Sequence, residues 1–202
     1  MYITTEFTET DTNRIISLAN EYAFATLVTV KDGVPFSTHL PLMIEKNETF
    51  IIIGHMAKSN KQWKHFKNGS DVLVMYQGPH AYISPSNYEG PGVPTWNYSS
   101  IHMYGKATLM TEELEVRNVI ETLADKYEKY QSEPWIPKYP ERILDAIVGF
   151  RIDVNRVEAK SKLSQNRSEN DRLNIITNLR STGSEGAMGV AKLMEENELK
   201  KK

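Results

Sequence analysis

The sequence predicts an α+β fold, mainly antiparallel β, with peripheral helices and a helical pair at its C-terminal end. Three observations carry this reading. Short β-branched and aromatic runs recur between Ala23 and Lys160, broken by turn pairs such as Asp32-Gly33 and Asn47-Glu48. One long helical pattern interrupts them, so βαβ units are scarce and hairpins dominate. After Lys160 the strand pattern gives way to a helical period. The order favours an antiparallel barrel or sandwich over a doubly wound parallel sheet.

Thr10 to Tyr22 reads as a helix capped by Thr10 or Asp11, with Ile15, Leu18, Ala19 and Tyr22 on one face. Ala23 to Val30 is a strand, and Asp32-Gly33 suits a tight type I′ turn. Val34 to Glu45 is the return strand, in which Pro41 marks an edge or a bulge. Thr49 to Ile53 is a buried strand. Ser59 to Phe66 is a short helix. Asp71 to Gln77 and Ala81 to Ser84 are strands, with Gly78-Pro79 bending the chain between them. Asn97 to Met110 is a further strand, bulged at Gly105. Thr111 caps a helix whose stripe is Val116, Val119, Ile120, Leu123, Ala124 and Tyr127. Glu141 to Ala146 is a helical turn and Ile147 to Lys160 the last strand. Two helices follow, from Glu169 to Arg180 and from Ser184 to Leu199, with Ser181 to Gly186 as a flexible joint. Residues 1–160 are expected to form the β domain and 161–202 a helical extension.

Composition narrows the function. The 202 residues are 40% hydrophobic and 25% charged, a globular balance, and the net charge of −2 supplies no global attraction to nucleic acid or membrane. There are no cysteines, which excludes disulfides, thiolate nucleophiles and cysteine-held metals. The start, MYITTEFTETD, lacks the basic and apolar regions of a signal peptide, and no apolar run is long enough to span a bilayer. A cytoplasmic protein is expected. The five histidines show no metal-ligand spacing, no G-x-S-x-G elbow is present, and no carboxylate pair stands out. No catalytic or metal-binding residue is therefore assigned.

Two stretches carry candidate chemistry. Gly54 to Asn60 (GHMAKSN) leads from a strand into the short helix. Ser59 or Asn60 can cap it, Lys58 and Lys61 lie beside its start, and Lys64 and Lys67 follow with no acidic residue from His55 to Ser70. That suits a phosphate, and equally a solvated basic face. Gln77 to Gly105 gathers His80, Tyr82, Tyr88, Trp96, Tyr98, His102 and Tyr104 around a Pro/Gly/Asn/Ser loop. The loop reads as an ordered lid or pocket wall. Core packing accounts for most of its aromatics. A flat ligand with a phosphate tail needs stacking surface, free backbone groups and an anion anchor. Trp96-Asn97-Tyr98, a bulged His39-Leu40-Pro41 backbone and Lys58-Ser59-Asn60 offer them, and FMN fits. In the tail, Lys160, Lys162, Arg167, Arg172 and Arg180 are placed to meet nucleic acid phosphates, but the interspersed glutamates fit a solvated helical face as well.

The segments PFSTHLPL (Pro35–Leu42), GHMAKSNKQW (Gly54–Trp63), QGPHAYISPSNY (Gln77–Tyr88), VPTWNY (Val93–Tyr98), AIVGFRI (Ala146–Ile152) and KLSQNRSENDR (Lys162–Arg172) resemble the PaiB-type FMN-binding negative transcriptional regulators. The resemblance implies an FMN-binding split β-barrel like that of pyridoxine-phosphate-oxidase-type flavoproteins. It also implies a homodimer with FMN at the subunit interface. The helical extension at residues 161–202 is expected to pack on the barrel or on its dimer partner. The resemblance places the phosphate at Lys58-Ser59-Asn60, beside His55, and the isoalloxazine at His39 and Leu40. It adds Gln77 to the cofactor set, and has Trp96 and Tyr98, or Gln165 and Arg167, reach the flavin from the partner subunit. Transcriptional repression implies promoter DNA as a partner. A flavin-dependent oxidoreductase of a small molecule, and a haem-binding or haem-degrading split barrel, are the alternatives.

Overall fold

The structure is a computed structural model that describes residues 1–66 and 69–199, with Glu141 described by its backbone. In chain order it contains α1 (Thr12–Glu21), β1 (Phe24–Lys31), β2 (Val34–Pro41), β3 (Met43–Lys46), β4 (Phe50–Ala57), β5 (Asp71–Ile83), β6 (Thr95–Leu109), α2 (Glu113–Glu128), β7 (Ile147–Lys162), α3 (Glu169–Thr182) and α4 (Glu185–Leu199). Short 3-10 helices occupy Thr5–Phe7, Lys61–Phe66, Pro85–Asn87 and Glu141–Ala146. The seven strands form one antiparallel sheet in the order β2-β1-β5-β6-β7-β4-β3, the sheet of a split β-barrel. Chain contacts divide the protein into two compact units. One is Met1–Ile15, Gln77–Ile101 and Glu158–Lys202; the other is Ile16–Tyr76 and His102–Val157.

The second unit holds the hairpins. Asp32 (φ +54°) and Gly33 (φ +77°) both sit in the left-handed region, as a type I′ turn requires, so the Asp-Gly pair sets the β1–β2 register from Lys31↔Val34 to Phe24↔Pro41. Along β1, Ala25, Leu27 and Thr29 point inward while Phe24 and Val30 face out. β1 also pairs with β5, and β4 pairs with β3 and β7, all antiparallel. Leu27, Leu42, Ile52, Val74, Tyr76, Phe150 and Ile152 are almost wholly buried, and Phe66 packs on Phe150 with ring centroids 5.2 Å apart. Each such residue removed from water contributes about 1.5–3 kcal/mol, so this cluster is the main hydrophobic term of the unit.

The first unit is built on the helical pair. Ser168 caps α3 by accepting from Asp171 N–H at 3.1 Å. Leu163, Ile175, Leu179, Val190, Ala191 and Met194 form its core. Arg172 donates two bonds to Glu198, at 2.6 and 2.8 Å, and Arg180 does the same to Glu195. Each pair joins α3 to α4.

Several expectations are corrected. Val34 to Glu45 is two strands, because the chain breaks register at Leu42, whose N–H turns to Ala23 O at 2.9 Å. The β1–β2 ladder is unbroken through Pro41, so His39-Leu40-Pro41 is not bulged; β2 is an edge strand, which accommodates a proline without one. β5 runs through Gly78-Pro79 without a break. At Gly78 a Cβ would stand 3.1 Å from Ser99 Cβ, so glycine admits a close approach of β6 that any larger residue would oppose. Thr111 does not cap α2: Glu112 occupies the cap position without a side-chain bond. The cap of α1 is as expected: of Thr10 and Asp11 it is Asp11 that serves, accepting from Asn13 N–H at 3.0 Å. The joint between the last helices is only residues 183–184. Lys67, part of the expected basic run, lies outside the described residues. Among the described residues, no helix is long and apolar enough to cross a membrane.

Candidate functional site

Six of the expected cofactor residues, His39, Leu40, His55, Lys58, Ser59 and Asn60, fall in the second unit. His39 lies near the end of edge strand β2, exposed, its ring stacked on Phe24 at 6.4 Å. Leu40 points the other way into the core, 5% exposed, which leaves only its backbone for any ligand contact. The β4 strand ends at Ala57, and the following loop is fixed by its own bonds. Asn60 Oδ1 accepts from Gln62 N–H at 3.1 Å, capping the 3-10 helix, and Asn60 Nδ2 donates to Thr38 Oγ1 on β2 at 2.9 Å. Trp63 Nε1 donates to Lys58 O at 3.0 Å. The loop and the end of β2 are therefore held together, and Lys58 and Ser59 are exposed beside them.

The expected phosphate anchor changes character. The helix after Asn60 is a six-residue 3-10 helix, too short to build the axial dipole of a long α-helix. What remains for an anion is the charge of Lys58 and Lys61 with the Ser59 hydroxyl. Lys61 Nζ leans on Lys58 O at 3.3 Å, and the Lys58 ammonium has no hydrogen-bond or ion-pair partner among the described residues. Lys58 also borders a cleft of about 270 Å³ whose lining includes Glu113 and Asp145.

His55 is half-buried. Burial holds its imidazole below the ordinary value of 6.5, so it is neutral at neutral pH. Its Nδ1 is buried without a hydrogen-bond partner, an atom that a polar ligand edge would satisfy. An orphaned ring nitrogen, an unpaired lysine and a loop pinned to a strand edge suit a ligand with a polar ring edge and a phosphate, as FMN has.

Sequence reasoning missed Gln62, which does most to hold this region. It is 1% exposed, and its Nε2 lies within 3.0–3.2 Å of Leu27 O, Thr29 Oγ1 and Phe36 O, tying the 3-10 helix to both strands of the hairpin. His65 Nδ1 joins Thr29 Oγ1 at 2.8 Å. A glutamine in the run Lys61-Gln62-Trp63-Lys64 carries no sequence signal of burial.

The other five, Gln77, Trp96, Tyr98, Gln165 and Arg167, fall in the first unit. Gln77 is exposed. Trp96 is 53% exposed and meets His80 and Tyr82, each at 6.1 Å between centroids. These three border a cleft of about 480 Å³ with Asn178 of α3 and Ser184 of the joint between α3 and α4. Tyr98 is half-buried under Lys160 Nζ. Gln165 spends its amide on its own loop, accepting from Leu163 N–H at 2.7 Å and donating to Ser161 O. Arg167 lies on the ring of Tyr88, 3.9 Å from its centroid. Of the tail cations proposed for phosphate contact, Arg172 and Arg180 are engaged by glutamates and Lys160 is buried.

The sequence model of a family described as "Putative FMN-binding domain" matches residues 1–156. The chain is 43% identical over 202 residues to "Protease synthase and sporulation protein PAI 2" of Bacillus subtilis (strain 168), covering 97% of each chain. Among solved structures it resembles the FAD and heme binding protein from Mycobacterium smegmatis, with a TM-score of 0.63, 13% identity, and 88% of this chain and 80% of that one covered. It also resembles the flavocytochrome Anf3 from Azotobacter vinelandii, with a TM-score of 0.61, 14% identity, and 79% and 72% covered. At those identities the two structures speak to the fold alone.

Proposed function

We propose, from the premise that this chain belongs to the PaiB-type FMN-binding family, that it is a homodimeric negative regulator of transcription whose flavin lies against the end of β2 and the loop at residues 54–60. FMN is the cofactor of this domain. The observation that carries the regulatory reading is the likeness to the Bacillus subtilis sporulation protein along nearly the whole of both chains. FMN, when bound, supplies a flat redox-active ring. The chain supplies position: Lys58, Ser59 and Lys61 take the phosphate, the His39-Leu40 backbone borders the ring, and the neutral His55 meets a polar ring atom. Gln77 stays with this set on the strength of the resemblance, and of the two pairs it offers from the partner subunit Trp96 and Tyr98 are preferred to Gln165 and Arg167, because Gln165 spends its amide on its own loop and Arg167 lies on Tyr88.

The homodimer is supported by an apolar face on the β1–β2 hairpin. Phe24, Val30, Val34 and Phe36 are 46–69% exposed there, a pattern that a second subunit would cover. Promoter DNA is the proposed partner. Its phosphates must be met away from Arg172 and Arg180, because Glu198 and Glu195 neutralise them. The test is an anisotropy titration of the FMN-loaded protein on promoter fragments and on unrelated DNA of equal length, repeated over salt concentration. Binding should be tighter to one promoter fragment and fall steeply with salt. Weak binding of equal strength on all fragments removes the regulatory reading and leaves a flavoprotein.

A further inference from the structure

A second cavity, of about 170 Å³, lies wholly within the first unit. Its lining includes Tyr88, Asn97, Lys162, Ser164, Asn166 and Arg167. We propose that it is a binding site for a phosphate-type oxyanion, free or as a small monoester, held by Lys162, Arg167 and the Tyr88 hydroxyl.

The donors are arranged and unspent. Lys162 Nζ donates to Thr95 Oγ1 and Trp96 O, which fixes the ammonium and leaves its third N–H for a ligand. The guanidinium of Arg167 is held flat on the Tyr88 ring, and none of its N–H groups has a hydrogen-bonded or ion-paired partner among the described residues. The Tyr88 hydroxyl is buried and has no hydrogen-bond partner, although buried hydroxyls ordinarily find one. No carboxylate lines the cavity. The nearby Asp171 is turned away, accepting from Glu89 N–H at 2.9 Å.

The backbone is specialised at the same place. Ser164, 4% exposed, is held at φ +61°, a conformation rare outside glycine and asparagine, by reciprocal bonding with the buried Asn97 amide. This turn carries Lys162 and Arg167 to the same cavity. Burial, then the charges of Lys160 and Arg167, hold Lys162 below its ordinary value, and a bound anion would reverse the electrostatic part of that shift. Two cations match a phosphate group, which carries about −1.5 to −2 at neutral pH.

The experiment is calorimetric titration of inorganic phosphate into the full-length protein, once stripped of flavin and once saturated with FMN. One phosphate per chain is expected in both states. Arg167→Gln should weaken it at least tenfold. Tyr88→Phe, which keeps the ring and removes only the hydroxyl, should weaken it severalfold with unchanged thermal unfolding. Three results would overturn the proposal: no phosphate binding by the wild type, equal affinity in Arg167→Gln, or loss of phosphate binding on FMN saturation. The last would make the cavity the flavin's own phosphate seat. Because the flavin-free arm needs no cofactor, failure of the FMN reading would leave the phosphate result standing.

Discussion

Replacing Lys58 by Gln separates the phosphate from the rest of the flavin. The Lys58 side chain is exposed and makes no hydrogen bond or ion pair among the described residues, so its loss should leave folding stability within about 0.5 kcal/mol. A charge-assisted hydrogen bond is worth about 1.5–3 kcal/mol. Lys58 sits in water beside Glu113 and Asp145, so the low end applies. At 1.4 kcal/mol per decade, that is about a tenfold weaker Kd for FMN. Riboflavin, which lacks the phosphate, is the control. Calorimetric titration of both ligands into flavin-stripped wild type and Lys58→Gln should show the loss for FMN and a change below about twofold for riboflavin. Equal losses for both ligands, or none for FMN, would refute the assignment of the phosphate to this loop.

Three further outcomes are expected. Gln62→Leu strips the 3-10 helix of its ties to Leu27, Thr29 and Phe36; it should cost about 2–3 kcal/mol and lower Tm by roughly 4–12 °C in a thermal melt. His55 has a folded pKa below its unfolded value of 6.5, so it favours folding fully above that value, and the contribution declines as pH falls below it. Denaturant unfolding at pH 7.5 and 5.5 should therefore show a smaller acid penalty in His55→Asn than in the wild type. Glu198→Gln uncouples the half-buried Arg172 and should cost about 1 kcal/mol, whereas Glu195→Gln, at the exposed Arg180 pair, should leave the melt unchanged.

Local chemistry made the hairpin and the loop legible. Asp32-Gly33 can form few turns other than the one observed, and the Lys58-Ser59-Asn60 run announces a capped, cationic start. Pairings between distant segments were not legible. Arg172 and Arg180 look like free cations until the fold brings Glu198 and Glu195 to them. Tyr88 and Arg167 belong to different motifs, and only the structure lays one on the other. Gly78-Pro79 reads as a bend because the sequence does not show that Ser99 presses against it. Leu40 and His39 are adjacent, yet one serves the core and the other faces out, a consequence of the two-residue period of the strand.

An absorption titration tests whether this barrel seats FMN. FMN added to flavin-stripped protein should give a perturbed flavin spectrum that saturates at one flavin per chain, and denaturation should release the flavin as FMN. A spectrum identical to that of free FMN at every ratio, with no flavin retained on gel filtration, would show that the barrel does not seat FMN.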